Sequence, residues 1–224
     1  MAHPTSDTRH PSSWGLYAVT DRTLTKGRSL ESVVDAALAG GAKAVQLREK
    51  DLPTRDLYEL TERLLPIVHR RGAYLLINDR VDLALALPVD GVHLSRTSLP
   101  LAETRALLGP VRLIGVSCHS LEEAIEAESG GSDFIVFGPL FPTPSKTVYG
   151  PPVGLAQLSE VRRQVRLPIL GIGGITACNA ASVIATGADG AAVISTVMAA
   201  DDPASTVSTL LHTIRSARRS MGEC

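Results

Sequence analysis

Arg48, Glu49 and Lys50 stand directly after the apolar run Ala44–Leu47, and Asn78 and Asp79 directly after the apolar residues 73–77. Ser117 and His119 follow a third such run at residues 113–116, while Gln46 and His93 lie inside runs of the same kind. Further on, Thr143, Ser145 and Lys146 occupy residues 138–152, which hold five of the 14 prolines. Brought to one place, the cations Arg48, Lys50 and Lys146 with these hydroxyls hold a phosphorylated ligand by charge-assisted hydrogen bonds. An Asn-Asp pair suits Mg2+, which takes few carboxylates and completes its shell with phosphate oxygens and water. Each residue taken singly also has a plain structural reading. Arg48 to Lys50 fits a solvated charged turn, Asp79 fits a helix N-cap, and a lone histidine such as His93 or His119 is more often a satisfied core residue than a proton shuttle.

A second kind of anion site is written in glycines. Residues 168–175 read P-I-L-G-I-G-G-I, an apolar run passing into glycines ahead of a helical segment near Asn179. One helix later, residues 190–197 read as an apolar strand ending at Ser195. Backbone N–H groups freed at such strand ends, here around Gly173 and Ser195, attract a phosphate without a cationic side chain. A lone G-x-G-G equally marks a tight strand-to-helix turn.

These residues need elements to carry them. Short apolar runs predict strands at residues 16–20, Ala44–Leu47, 73–77, Gly91–Leu94, 113–116 and 133–137, then from Pro168 and from Gly190. Helical patterns alternate with them. Ser29 caps the first, and Gly40-Gly41 stops it. The second, Thr54–Arg70, has Leu57, Leu60, Leu64, Leu65 and Val68 at helical spacing, with Pro66 predicting a kink or a boundary. Others are predicted at residues 81–87, Leu101–Leu108, 121–128 and 154–165, and after Pro203, whose last turns carry Arg215, Arg218 and Arg219. Ser120 and Glu123 read as a capping box. Eight alternations of buried, non-alternating strands with helices predict a single (β/α)8 barrel, in which the C-terminal ends of all strands share one mouth and the loops after strands seven and eight commonly hold phosphate. No G-x-G-x-x-G follows strand one, which counts against an open doubly wound sheet.

The bulk numbers narrow the partners. The 224 residues are 44% hydrophobic and only 4% aromatic, so Val, Ile, Leu and Ala are expected to fill the core. A net charge of −1 gives no footprint for nucleic acid or a membrane surface. Three widely spaced cysteines, Cys118, Cys178 and Cys224, form no metal or redox motif and read as free thiols of a reducing cytoplasm. Residues 1–13 read as a polar, flexible tail ahead of one domain spanning 14–224.

At this point the motifs resemble a known family. Gln46-Leu47-Arg48-Glu49-Lys50, Ile77-Asn78-Asp79-Arg80, Asp90-Gly91-Val92-His93, Gly115-Val116-Ser117 with His119, Gly138 to Thr143, and Gly171-Ile172-Gly173-Gly174-Ile175, in this order, resemble thiamine phosphate synthase. The resemblance implies condensation of hydroxymethylpyrimidine diphosphate with thiazole phosphate, giving thiamine phosphate and diphosphate. It implies that Arg48 and Lys50 hold the diphosphate with Asn78, Ser117 and Lys146, and that Asp79 binds Mg2+. Gln46 and His93 would border the pyrimidine, and Thr143, Ser145, Gly173 and Ser195 would bind the thiazole phosphate. The partners implied are these two small phosphorylated molecules, and a homo-oligomer is compatible with the sequence. Two departures point instead to the sister branch, the thiazole tautomerases, in which a residue matching His119 moves a proton. Ser98 stands where the family carries a second carboxylate for Mg2+, and residues 149–155 also look more like that branch. More diphosphate-handling positions are kept than lost, so synthase chemistry is the expectation, with a tautomerase or a non-catalytic precursor-binding protein as alternatives.

Overall fold

The structure is a computed structural model that describes residues 10–143 and 151–222. Strands β1 (Gly15–Val19), β2 (Ala44–Leu47), β3 (Tyr74–Asn78), β4 (Gly91–Leu94), β5 (Leu113–Cys118), β6 (Phe134–Phe137), β7 (Ile169–Ile172) and β8 (Gly190–Val193) pair in parallel in chain order. β8 returns to β1 in the register Leu16↔Ala191 and Ala18↔Val193, which closes a (β/α)8 barrel. Around it lie helices α1 (Leu30–Ala39), α2 (Thr54–Arg70), α3 (Val81–Ala86), α4 (Leu101–Leu108), α5 (Leu121–Ser129), α6 (Gly154–Gln164), α7 (Ala180–Ala185), α8 (Ser195–Met198) and α9 (Pro203–Gly222). Among the described residues no helix is long and apolar enough to cross a membrane.

Strand residues point alternately outward and inward, and the two sets pack differently. The outward set joins the helices in an aliphatic layer, with Leu16, Val45, Leu47, Leu75, Ile77 and Ile135 all at 1% exposure or less. The inward set does not follow the expectation of an aliphatic filling. Trp14, Tyr17, Tyr74 and Phe134, half of the chain's eight aromatics, stack inside the barrel with Leu76, Val136 and Leu170. Trp14 and Tyr17 meet the Phe134 ring edge-on at 5.2 and 5.7 Å, an arrangement the ring quadrupoles favour. The few aromatics are therefore concentrated where bulky rings can fill a closed interior.

Three other expectations are corrected. Pro66 produces no boundary, and α2 runs unbroken because its buried stripe continues past the exposed proline through Val68. β8 ends at Val193, and Ser195 opens the short α8 instead of closing a strand. The capping box at α5 is shifted by one residue. Ser120 Oγ accepts from Glu123 N at 3.2 Å, but the Glu123 carboxylate accepts from His119 N at 2.6 Å. The Ser29 cap is as predicted, accepting from Ser32 N at 3.2 Å. Residues 1–9 of the expected tail fall outside the described residues, while Pro11–Ser13 form a 3-10 turn to which Arg218 is tied through Ser12 O at 2.8 Å.

At the N-terminal end of the barrel one device recurs three times. Asp90, Asp133 and Asp189, each just before an even-numbered strand, accept from Leu75 N, Ile114 N and Ile169 N of the preceding strand at 2.8, 2.7 and 2.9 Å. Each carboxylate also meets a base from the even-numbered helix that leads into that preceding strand: His69 on α2 at 3.0 Å, Arg105 on α4 at 2.6 Å and Arg162 on α6 at 3.3 Å. A strand N–H that a parallel ladder leaves open is thereby paired, and a helix is fixed to the sheet. Asp133→Ala should lower unfolding free energy by about 1–3 kcal/mol with turnover unchanged, measured by urea denaturation beside steady-state assay. The His69 brace carries a pH signature. Its bond to Asp90 raises the imidazole above its ordinary value against the opposing effect of burial. The stability it adds is complete below that ordinary value and lost as pH rises through the higher folded one. Melting of the native chain should therefore fall slightly on the alkaline side, and His69→Gln should flatten that slope.

Candidate active site

Inward alternation brings the chemistry-bearing residues to the C-terminal mouth. Gln46 on β2, Asn78 on β3, His93 on β4 and Ser117 on β5 sit on neighbouring strands, registered Asn78↔His93 and His93↔Gly115. His93 is 2% exposed, and its Nε2 is 2.9 Å from Ser117 Oγ. Burial drives its pKa down to about 3, with the Asp79 charge opposing and the Arg48 charge assisting. The ring is thus neutral at physiological pH. It is a hydrogen-bonding partner of Ser117. Gln46, equally buried, donates from Nε2 to Tyr17 Oη at 3.3 Å.

Asp79 lies in the left-handed region at φ +61°, a conformation costly for most residues and best tolerated by Asn, Asp and Gly. It does not cap α3, whose N-cap is Arg80. The turn directs its carboxylate into a ring of donors. Ser98 Oγ and Ser95 Oγ (3.0 Å) reach Oδ1, Asn78 Nδ2 reaches Oδ2 at 2.7 Å, and Lys50 Nζ stands 3.9 Å from Oδ2. Burial raises its pKa, but these hydroxyls, Lys50 and Asn78 together outweigh it and hold the carboxyl below the usual range. An ionised carboxylate open to hard ligands results. Among the described residues no cluster of three or more His, Cys, Asp or Glu gathers. This donor set fits an Mg2+ ion carried mainly by substrate phosphates and water, and does not form an all-protein cage.

The reading of Arg48 to Lys50 as a solvated turn is excluded by its middle residue. Glu49 is buried and bonded to Thr20 Oγ1 at 2.6 Å and to Arg22 N at 3.1 Å. Arg48 has no carboxylate partner among the described residues, and Lys50 is half exposed. An unpaired guanidinium beside a half-exposed ammonium makes a local anion trap in a chain of near-zero net charge.

The opposite rim carries the glycine loop. Gly173 has φ +99°, and a Cβ there would lie 2.6 Å from Pro139 Cβ. The loop after β6 is pinned to this turn by Leu140 N to Ile172 O at 2.8 Å and Phe141 N to Gly173 O at 3.1 Å. Any side chain at 173 would therefore displace that loop, so the position has a packing duty besides any contact with phosphate. Ser195 is exposed at the start of α8, and Thr196 Oγ1 donates to Ile175 O at 2.7 Å, tying the two turns together. His119 is exposed, with Nδ1 bonded to Gly138 O. Thr143 is at the edge of the described residues, and Ser145 and Lys146 lie outside them.

Sequence reasoning missed Thr20, Ser95 and Thr196, whose partners are distant in the chain. The positions of Thr20 and Ser95, each directly after a strand, offered the one signal. Gly115 is a further dependence, since a Cβ there would be 2.3 Å from Phe134 Cζ and 2.7 Å from His93 Nδ1. Gly115→Ala should cost about 1–3 kcal/mol of stability by overpacking and should also reduce turnover by displacing His93 from Ser117. Thermal melts and kinetics on the same preparation check both, and wild-type turnover in the variant would contradict the second.

A family profile described as thiamine monophosphate synthase matches residues 16–197. The thiamine-phosphate synthase of Roseiflexus castenholzii is 50% identical over 194 residues, covering 86% of this chain and 85% of that protein. That of Moorella thermoacetica is 45% identical over 205 residues, covering 92% and 98%. Among solved structures, thiamine phosphate pyrophosphorylase from Pyrococcus furiosus superposes with a TM-score of 0.84 at 38% identity, covering 92% of this chain and 98% of its own.

Proposed function

The chain belongs to the thiamine monophosphate synthase family, and we infer that it condenses hydroxymethylpyrimidine diphosphate with thiazole phosphate to give thiamine phosphate and diphosphate. The observation that carries this reading is the ionised Asp79 flanked by Lys50, with Arg48, which has no carboxylate partner among the described residues, at the neighbouring strand end. A cation-flanked carboxylate serves a metal–diphosphate complex, whereas isomerising a single phosphate monoester needs no such set.

In this reading Arg48, Lys50, Asn78 and Ser117 bind the departing diphosphate, and Lys146 from the loop after β6 assists. Asp79 would hold Mg2+, which when bound supplies charge neutralisation for the leaving group. His93, neutral and bonded to Ser117, leaves the serine proton free to face the anion when Nε2 is the donor. Gln46 and His93 form the polar wall for the pyrimidine. Thr143, Ser145, Gly173 and Ser195 bind the phosphate of the thiazole, so that its ring nitrogen faces the pyrimidine methylene. Bond breaking at that methylene is helped by stabilising the charge on diphosphate, and bond making by the orientation of the two rings. His119 is at the rim, positioned by Gly138 and Glu123. The substrates are small phosphorylated molecules, and the free Cys118 and Cys178 support a reducing cytoplasm.

Ser98 makes the metal dependence testable. It donates to Asp79, so Ser98→Asp sets a second carboxylate against the first. Without Mg2+ the variant should melt lower through like-charge repulsion, and Mg2+ should restore it and reach half-maximal rate at a lower concentration than in the native chain. Asp79→Asn tolerates the left-handed turn and removes only the charge, and should cut condensation by about a hundredfold or more. Absence of condensation at every Mg2+ concentration, with isomerisation of thiazole phosphate that His119→Ala abolishes, would replace the synthase reading by the tautomerase one.

A further inference from the structure

Arg48 and Lys50 are long, flexible side chains, and something must aim them at the same ligand. Strand alternation continues past β2 so that Gln46 and Arg48 turn inward while Leu47 and Glu49 turn the other way. Glu49 is then held by four hydrogen bonds from three donor groups. Thr20 Oγ1 donates to Oε1 at 2.6 Å, Arg22 N donates to both oxygens at 3.2 and 3.1 Å, and Arg22 Nη1 donates to Oε2 at 3.2 Å. Arg22 is itself held by a bidentate pair with Asp51 at 2.6 Å for each bond. Thr20 has no solvent exposure, and its hydroxyl also accepts from Arg48 N at 2.9 Å. One buried hydroxyl therefore joins the backbone of the first cation to the carboxylate between the two cations. Thr20 N additionally donates to Gln46 O at 2.9 Å, so the relay is fixed to the β1–β2 ladder.

We propose that Thr20 and Glu49 are positioning residues of the diphosphate subsite, holding Arg48 and Lys50 toward the mouth without touching substrate. This rests on the functional reading above. Loss of the hydroxyl leaves Arg48 N without its acceptor and Glu49 without its shortest donor, freeing the segment that carries both cations. The thiazole phosphate side, built on the turns after β7 and β8, is untouched.

The test compares Thr20→Val, which keeps shape but removes the hydroxyl, with Thr20→Ser, which keeps the hydroxyl. Affinity for inorganic diphosphate is read by calorimetry in the presence of Mg2+, and the KM of each substrate by steady-state assay. Thr20→Val should weaken diphosphate binding and raise the KM of the pyrimidine diphosphate by about tenfold or more, with the KM of thiazole phosphate nearly unchanged. Thr20→Ser should recover most of that loss. Glu49→Gln provides an independent variant and should show the same one-sided effect. Native affinity for diphosphate in Thr20→Val and Glu49→Gln, or parallel changes in both KM values, would overturn the positioning role. So would failure of both variants to fold, which would assign the pair to stability alone. A native chain that neither binds diphosphate nor condenses would overturn the functional reading, and the inference with it, whereas native binding unaffected by the variants would overturn only the inference.

Discussion

Closure between β8 and β1 is the constraint on which the rest of the molecule depends. A parallel strand with an open edge exposes a row of unpaired N–H and C=O groups, and joining β8 to β1 removes both edges at once. Closure also forces alternate side chains of all eight strands into one enclosed space. The lower part of that space takes the aromatic rings of Trp14, Tyr17, Tyr74 and Phe134. The upper part receives Gln46, His93 and Ser117, with Gln46 Nε2 bonded to Tyr17 Oη and His93 Nε2 to Ser117 Oγ. Apolar packing below and hydrogen bonding above are consequences of the same alternation. His93 shows the join between them: its ring lies 5.8 Å from Phe134, and its Nε2 meets Ser117.

Stability and chemistry are separated along the barrel axis. Asp90, Asp133 and Asp189 spend their charge at the N-terminal end on strand N–H groups and on helix bases. Asp79 at the C-terminal end is bonded, among the described residues, to the side chains of Ser95, Ser98 and Asn78 and to Ser95 N, with Lys50 at 3.9 Å. The first three are saturated by rigid partners. The fourth meets one backbone N–H, of Ser95 at 3.3 Å, and otherwise side-chain donors, two hydroxyls, an amide and an ammonium, that can rotate away when a cation arrives. The same side chain thus braces at one end and remains available at the other, and its partners make the difference.

Much of this was legible in the sequence. β2, β4, α2 and α4 have the predicted bounds, because short buried runs and leucine periodicity are local signals. The strand-end residues met at one mouth because a closed parallel barrel admits no other arrangement. Pro66 sets no boundary, because a long buried stripe outweighs one lost backbone bond. The aromatic interior was hidden because composition does not say which face of a strand a residue occupies. Thr20 with Glu49 and Thr196 with Ile175 were invisible for a different reason. Their bonds span 29 and 21 residues, and no spacing rule reports a contact made by adjacent strands.

A chain of net charge −1 still concentrates positive potential at one point, and the hydrogen bonds show how. Arg22, Arg28, Arg63, Arg71, Arg105 and Arg162 are each committed to a carboxylate or a carbonyl. Glu49, which falls between the two mouth cations in sequence, is turned away and neutralised by Arg22, so it cannot pair with Arg48. Lys50 retains only a long contact with Asp79. The potential at the mouth thus comes from cations with few local partners among the described residues, with no surplus of charge in the chain. A field of that kind acts at short range, with low-dielectric walls formed by the barrel itself. A compact polyanion matches a field of that kind, whereas nucleic acid and acidic membrane surfaces match basic charge spread over a face.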